Sequence, residues 1–391
     1  KPNLNTRFLH KKNQIKEIGG RSYLAQLSNT VATTANAVFY ANLIQKKATL
    51  RRLQLAASQI MSLGFEEERE IDEILDQAEK EIFSVSRKFL KNSFIGIDSL
   101  LSEAFERIDE LHKKSGNLRG LSTGFYDLDD LLAGLQKSDL IIIAARPSVG
   151  KTSLALDIAR QAAIKNKVGV GIFSLEMGKE QLVDRMICAQ ANVNLWKMRT
   201  GNLSDKEEDN DFVKINEAMG LLSEAPIYID DSPNVSVMEI RAKCRRLQAE
   251  KGLGLIVIDY LQLMEGRGKY SDNRVQEISE ISRGLKGIAR ELDIPVLALA
   301  QLSRATEQQS GASIPKLSHL RDSGSIEQDA DVVMFIYRKA TDRSFNVQDL
   351  SMDERYKAEI HIAKHRNGPT GKIDLYFSEE TASFKKIKIN L

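Results

Sequence analysis

Cysteine is nearly absent from this sequence of 391 residues: Cys188 and Cys244 stand far apart, with no companion ligand residues around them. That excludes a disulfide framework and a zinc site of ordinary spacing, and it fits a reducing compartment. Long apolar runs are lacking too. The longest, such as Leu140 to Ala145, are strand-sized, so no segment reads as a bilayer span. No signal peptide is visible, and the start at Lys1 in place of Met reads as a processed or shortened N-terminus. Seven prolines and one tryptophan, with 42% hydrophobic and 28% charged residues, exclude collagen, a membrane bundle and wholesale disorder. A dominant charge is also missing. Lys and Arg number 56 against 54 Asp and Glu, net +2, so a polyanionic partner must be attracted by local patches.

What is present is a length sufficient for two or three domains, each with its own core. The near-neutral total conceals an uneven distribution. Residues 1–55 carry a net +9, residues 56–80 a net −6, and residues 118–391 close to −1. The basic front end reads as helical: Asn36 to Ala57 contains no Gly or Pro, and Glu67 to Leu90 repeats apolar residues at Ile71, Ile74, Leu75, Ala78 and Ile82. A third helix carries Ile97, Leu100, Leu101, Ala104, Phe105, Ile108 and Leu111 on one stripe. That stripe can pack on its own domain or on a neighbouring subunit. The polar break Lys113 to Asn117 marks a boundary, giving a partial helical N-terminal domain (1–92), a linker helix region (93–117) and a larger domain (118–391).

After Leu121 the pattern changes to short apolar strands between helical stretches. Strands are predicted at Leu140 to Ala144, Val168 to Ser174, Ile227 to Asp230, Leu255 to Asp259, Pro295 to Ala300, Asp331 to Tyr337 and Ala358 to Ala363. This alternation predicts an α/β fold with a mainly parallel sheet covered by helices on both faces, and ligands at the C-terminal ends of its strands.

The segment Ala145, Arg146, Pro147, Ser148, Val149, Gly150, Lys151, Thr152 follows the first of these strands and opens a helix near Ser153. Backbone N–H groups in such a loop, with a helix N-terminus behind them, cradle phosphates. Lys151 would meet the β and γ phosphates, and the Thr152 hydroxyl would ligate Mg²⁺. Asp259 ends the strand Leu255 to Asp259, where a carboxylate holds the water shell of the metal. Glu176 lies at the end of the strand that follows the P-loop helix, where it can orient or deprotonate an attacking water. Gln301 ends another and can sense the γ-phosphate. Each residue alone also reads blandly: a strand-to-helix turn, a turn aspartate, a helix-capping glutamate, an unremarkable amide. Strand, loop and helix together point to nucleotide binding.

These residues in this order resemble the RecA-like ATPases, and within them the DnaB family of bacterial replicative DNA helicases. The resemblance runs from Leu121 to Leu391. It rests on Leu121-Ser-Thr-Gly-Phe, the Ala145 form of the P-loop, Ser174-Leu-Glu-Met, Arg241-Ala-Lys-Cys-Arg-Arg, Val257-Ile-Asp-Tyr-Leu-Gln-Leu, Ala300-Gln-Leu-Ser-Arg, Gly324-Ser-Ile-Glu-Gln-Asp-Ala-Asp and Ala363-Lys-His-Arg-Asn-Gly-Pro. Ile18-Gly-Gly-Arg-Ser-Tyr-Leu-Ala and Lys46 to Leu53 resemble the end of the family's helical N-terminal domain, whose first helices this sequence lacks.

The resemblance implies a RecA-like P-loop domain and a homohexameric ring. That ring encircles single-stranded DNA, hydrolyses ATP with Mg²⁺ between subunits, unwinds a forked duplex and meets primase and a helicase loader. It implies that the linker helix docks on the adjacent motor, that Arg185 stacks on the nucleotide base, and that Lys364 and Arg366 reach the neighbour's γ-phosphate. It places Arg321, Asp322 and Gly324 on the DNA backbone. The basic loop 266–274, with Arg267, Lys269 and Arg274, would face the same channel. A cytoplasmic, nucleoid-associated location follows for a bacterium, and a plastid or phage-infected host fits equally. Two other readings stay open at this stage, a strand-exchange recombinase filament of the same fold and a nucleotide-switched DNA-binding adaptor. Glu176 and the Lys364/Arg366 pair speak against the adaptor.

Overall fold

The computed structural model describes residues 37–66, 71–87, 97–98, 101, 104–106, 108–109, 118–206, 209–265, 274–302, 314–342 and 344–387. The chain divides into two compact units, Lys1–Ile108 and Asp109–Leu391. The polar break at 113–117 lies outside the described residues.

In the first unit, α1 (Ala37–Leu63) packs against α2 (Ile71–Arg87). Helix α1 runs six residues beyond the predicted Ala57, because no Gly or Pro intervenes before Gly64. The stripe on α2 faces outward at Ile71, Leu75 and Ile82. Helical backbone also occurs at the described residues between 97 and 109, where Ile97, Leu101, Phe105 and Ile108 are all exposed. Leu100 and Leu111 lie outside the described residues. Among the described residues, no helix is long and apolar enough to cross a membrane.

The second unit is built on a nine-stranded sheet. Its strands are β1 (Leu140–Ala145), β2 (Val170–Ser174), β3 (Ile227–Asp230), β4 (Leu255–Asp259), β5 (Val296–Gln301), β6 (Val332–Tyr337), β7 (Lys357–His365), β8 (Gly371–Ser378) and β9 (Ser383–Lys386), in the order β3-β2-β4-β5-β1-β6-β7-β8-β9. The first six strands in that order are parallel, and β7 to β9 extend the sheet antiparallel. The seven predicted strands are all present, within one or two residues at most ends. Strands β8 and β9 were not anticipated. Helices α3 (Tyr126–Leu132), α4 (Lys151–Asn166), α5 (Lys179–Ala191), α6 (Leu195–Thr200), α7 (Asp211–Ser223), α8 (Val237–Lys251), α9 (Arg274–Leu292), α10 (Gly324–Asp329) and α11 (Met352–Tyr356) complete the unit.

The central strands are apolar throughout because both sheet faces are covered. Successive residues of β1 alternate between two cores. Ile141 and Ile143 join Leu154 and Ile158 of α4 on one face. Leu140 and Ile142 join Ile281 and Leu285 of α9 on the other. The helices thereby leave the C-terminal ends of β1, β2, β4 and β5 side by side at one edge, where a ligand-binding crevice belongs.

Candidate nucleotide site

Strand β1 hands the chain to the P-loop, and α4 begins at Lys151. The turn uses left-handed backbone at Ser148 (φ 63°) and Gly150 (φ 112°). At Gly150 the missing side chain also matters, since a Cβ there would stand 3.1 Å from ring atoms of Phe377 and Phe384. Pro147 and Ser148 are exposed at the loop tip, Arg146 is partly buried, and Val149 and Ser153 are buried.

Pairing of β2 with β4 sets Ser174 opposite Asp259, and the Leu175 N–H donates to the Asp259 carbonyl at 2.7 Å. That register brings Glu176 and Asp259 to the same strand ends. Lys151 Nζ lies 3.2 Å from Glu176 Oε2 and 3.6 Å from Asp259 Oδ1. It also sits 3.7 Å from the centroid of the Tyr260 ring, a cation–π contact. The Thr152 hydroxyl donates to Asp259 Oδ2 at 2.7 Å. Four predicted residues, Lys151, Thr152, Glu176 and Asp259, thus form one cluster.

Burial pushes the Asp259 carboxyl above its ordinary range, and Lys151 and the Thr152 hydrogen bond pull it back. Asp259 Oδ1 is buried without a hydrogen-bond partner. An oxygen left open beside a hydroxyl and a lysine fits a hydrated cation. Among the described residues, no group of three His, Cys, Asp or Glu side chains could hold a metal ion unaided. A divalent cation here would need oxygens from a bound phosphate chain, as Mg²⁺ characteristically takes. Glu176 keeps 48% of its side chain exposed, which leaves it accessible to an incoming water.

Gln301 pairs with Ala145, the first residue of the P-loop. Arg185, on α5, lies within electrostatic reach of Asp259 and Glu176; burial, and next Arg199, hold its guanidinium below its ordinary value. Its Nε is buried with no hydrogen-bond acceptor.

Lys364 and Arg366 are elsewhere. Strand β7 runs antiparallel to β6 with His365 opposite Val332, and Val332 lies beside Ile141 near the start of β1. The pair therefore sits at the sheet edge opposite its own P-loop, separated by the length of β1, about 17 Å for a six-residue strand. There Lys364 Nζ donates to the carbonyls of Glu327 (2.6 Å) and Ala330 (2.7 Å), closing the end of α10. Arg366 is held by the Asp331 carboxylate at 3.1 Å. Burial, then Arg366, lowers the Lys364 pKa.

Of the DNA-facing candidates, Arg321 and Asp322 belong to the 3-10 segment Leu317–Ser323, and Gly324 starts α10. Arg274 starts α9. Only the backbone of these four is described, and Arg267 and Lys269 lie outside the described residues. Sequence reasoning gave no role to Tyr260, Gln262 or Asp331. The first two lie inside the run beginning at Val257, so position beside Asp259 was their only signal. Asp331 shows its partners only in three dimensions.

The family described as DnaB-like helicase C terminal domain matches residues 120–386, and the DnaB-like helicase N terminal domain matches residues 4–46. The chain is 48% identical over 374 residues to the replicative DNA helicase DnaC of Bacillus subtilis, covering 96% of this chain and 80% of that protein. It is 48% identical over 375 residues to the replicative DNA helicase DnaB of Geobacillus stearothermophilus, with the same coverage. A solved DnaB-like replicative helicase, described together with its interactions with primase, superposes with a TM-score of 0.74 at 33% identity, covering 98% of this chain and 87% of that one. A solved ATPase domain matches at 37% identity and a TM-score of 0.69, covering 76% of this chain and all of that one. With Lys151, Thr152, Glu176 and Asp259 clustered at the strand ends of a mainly parallel sheet and two family domains matched in order, the chain belongs to the DnaB-like replicative DNA helicases, which are ATP-dependent enzymes.

Proposed function

We propose that this helicase works as a homohexameric ring that encircles single-stranded DNA and completes each ATP site with residues of two adjacent subunits. The observation that carries the reading is a division of labour across the sheet. Lys151, Thr152, Glu176 and Asp259 converge at one edge, while Lys364 and Arg366 stand at the other, beyond reach of their own P-loop. A guanidinium so placed is out of reach of its own P-loop, which supports service to a neighbouring subunit, where it would stabilise charge spreading on the transferred phosphoryl group, an effect of roughly 10³ to 10⁵ in rate.

Lys151 lies between the carboxylates of Glu176 and Asp259. Arrival of a triphosphate gives Lys151 a stronger partner and releases Glu176 to orient water and accept its proton. Thr152 and Asp259 are the residues that would hold Mg²⁺, which when bound would supply positive charge against the phosphates. Arg185 offers its guanidinium plane to the base, and the P-loop backbone from Ala145 to Ser153 lines the phosphates. Gln301 relays phosphate state to the segments that carry Arg267, Lys269 and Arg274 on one side and Arg321, Asp322 and Gly324 on the other, which meet the DNA backbone. Residues 93–117 act as the linker between the helical domain and the motor. Primase and a loader are the protein partners, in the bacterial cytoplasm.

Lys151→Ala should abolish ATPase and fork unwinding, and near-normal turnover would overturn the site. Mixing Lys151→Ala with Arg366→Ala subunits should restore turnover, because a ring then contains interfaces with one intact P-loop and one intact finger. No recovery in mixed rings would place the finger in cis and defeat the reading.

A further inference from the structure

Strand β5 ends at Gln301, and its two edges are bonded differently. Toward β1, Gln301 pairs with Ala145, and the Leu302 N–H donates to the Ala145 carbonyl at 3.1 Å. Toward β4 the ladder runs from Ile256 opposite Val296 to Ile258 opposite Ala298 and stops. The chain leaves the sheet after Asp259 and enters the 3-10 turn Leu261–Leu263. The backbone of Gln301 is nonetheless paired on that side. Its N–H donates to Gln262 Oε1 at 3.2 Å, and its carbonyl accepts from Gln262 Nε2 at 3.0 Å. A primary amide offers a donor and an acceptor in one plane, as a peptide group does. The Gln262 side chain therefore stands in for a further residue of β4.

We propose that Gln262 is a positioning residue that couples the nucleotide site to DNA binding by locking the roots of the two DNA-facing segments together. The chain runs from Gln262 into residues 266–273 and from Gln301 into residues 303–313. Gln301 in turn rests on the first residue of the P-loop. The local bonds of the turn, Leu263 N–H to the Tyr260 carbonyl (3.0 Å) and Met264 N–H to the Leu261 carbonyl (3.2 Å), do not reach β5. The amide does. A displacement of the β5 end by phosphate gain or loss thus moves both roots, and DNA seated on either segment bears back on the P-loop. Such coupling is reciprocal.

The inference rests on the reading that these segments meet DNA. The test measures affinity for a labelled single-stranded oligonucleotide by anisotropy, on the full chain, with and without a non-hydrolysable ATP analogue. Gln262→Met keeps the side-chain length and removes both bonds; Gln262→Asn keeps the amide but withdraws it by one methylene. In both, nucleotide-free DNA affinity and basal ATPase should stay within about twofold of wild type, while the ratio of affinities with and without analogue falls about fivefold or more. Thermal melting identifies which variant is folded, and either one suffices. An unchanged ratio, equal losses in both nucleotide states, or a wild-type ratio of one overturns the clamp. The DNA reading fails separately if Arg321→Ala and a combined Arg267, Lys269 and Arg274 to Ala variant bind the oligonucleotide as wild type does. Weakened binding in those variants beside an unchanged ratio in Gln262→Met defeats the clamp alone.

Discussion

Asp331 lies between α10 and β6, and replacing it with Ala should be among the most destabilising single changes in the larger unit. Its carboxylate is 4% exposed and collects three donors: the Leu140 N–H (2.8 Å) and Lys286 Nζ (2.5 Å) on Oδ2, and the Arg366 guanidinium (3.1 Å) on Oδ1. In Asp331→Ala the Leu140 N–H is stranded in a fully buried position, a cost of about 1–3 kcal/mol. Lys286 keeps the Ser138 carbonyl at 2.7 Å and a distant Asp139 at 3.9 Å, so its loss is partial. Arg366 is 51% exposed and adds at most about 1 kcal/mol. The total, about 3–5 kcal/mol, matches the usual penalty for removing one partner of a buried ion pair. That is a large share of the 5–15 kcal/mol on the order of which domains are stable. Asp331→Asn retains an acceptor for Leu140 and should cost about 2 kcal/mol less. Urea unfolding would show a lower midpoint at an unchanged m-value. The reasoning is refuted if Asp331→Ala costs under about 1 kcal/mol, or if the Asn variant is as unstable as the Ala variant.

Three further outcomes are expected. Glu176→Gln should retain nucleotide binding while kcat falls by about 10²–10⁴, the range for loss of a positioned general base; an unchanged kcat removes Glu176 from the chemistry. Asp139 is held up at about 6, against an ordinary 3.8, by burial and then by Asp331. Its folded state favours the protonated form, so its contribution to stability is present below 3.8 and lost as pH rises through about 6. Asp139→Asn should therefore be more stable than wild type by about 1–3 kcal/mol at pH 8, with the gain vanishing in acid; a pH-independent difference in melting would refute this. Gly150→Ala must hold φ near 112° and push its methyl against Phe377 and Phe384, so nucleotide affinity should fall at least about tenfold; wild-type binding by titration would show the loop to be tolerant.

The central strands were legible because each is a short apolar run that only a doubly covered sheet can bury. Strands β8 and β9 were not, and the reason is visible in Gly371–Ser378, whose buried Ile373, Leu375 and Phe377 alternate with partly or fully exposed Lys372, Asp374 and Tyr376. An alternating edge hairpin carries a weaker signal than a continuous apolar run. Glu176 and Asp259 of the candidate site could be named from strand ends, and Lys151 and Thr152 from the loop that follows β1; a parallel sheet gathers those ends, which is why the four meet. Contacts formed by residues distant in sequence could not. Lys364 closing α10, Tyr260 beneath Lys151 and the Gln262 amide against β5 each depend on a register or a turn that no local pattern encodes.

The clasp between β9 and the P-loop helix sets a schedule for biosynthesis. Asp157, buried in α4, is satisfied by Arg160 of its own helix, by the Ser383 hydroxyl and by the Phe384 N–H at 2.7 Å, 227 residues later in the chain. A ribosome adding about 5–20 residues per second needs roughly 10–45 s to make that interval. Throughout it, the helix behind the phosphate loop lacks two of its fastenings, and Gly150 lacks the aromatic wall of Phe377 and Phe384. The fastenings of the P-loop helix are therefore written across almost the whole larger unit, and they close only once β9 has been made.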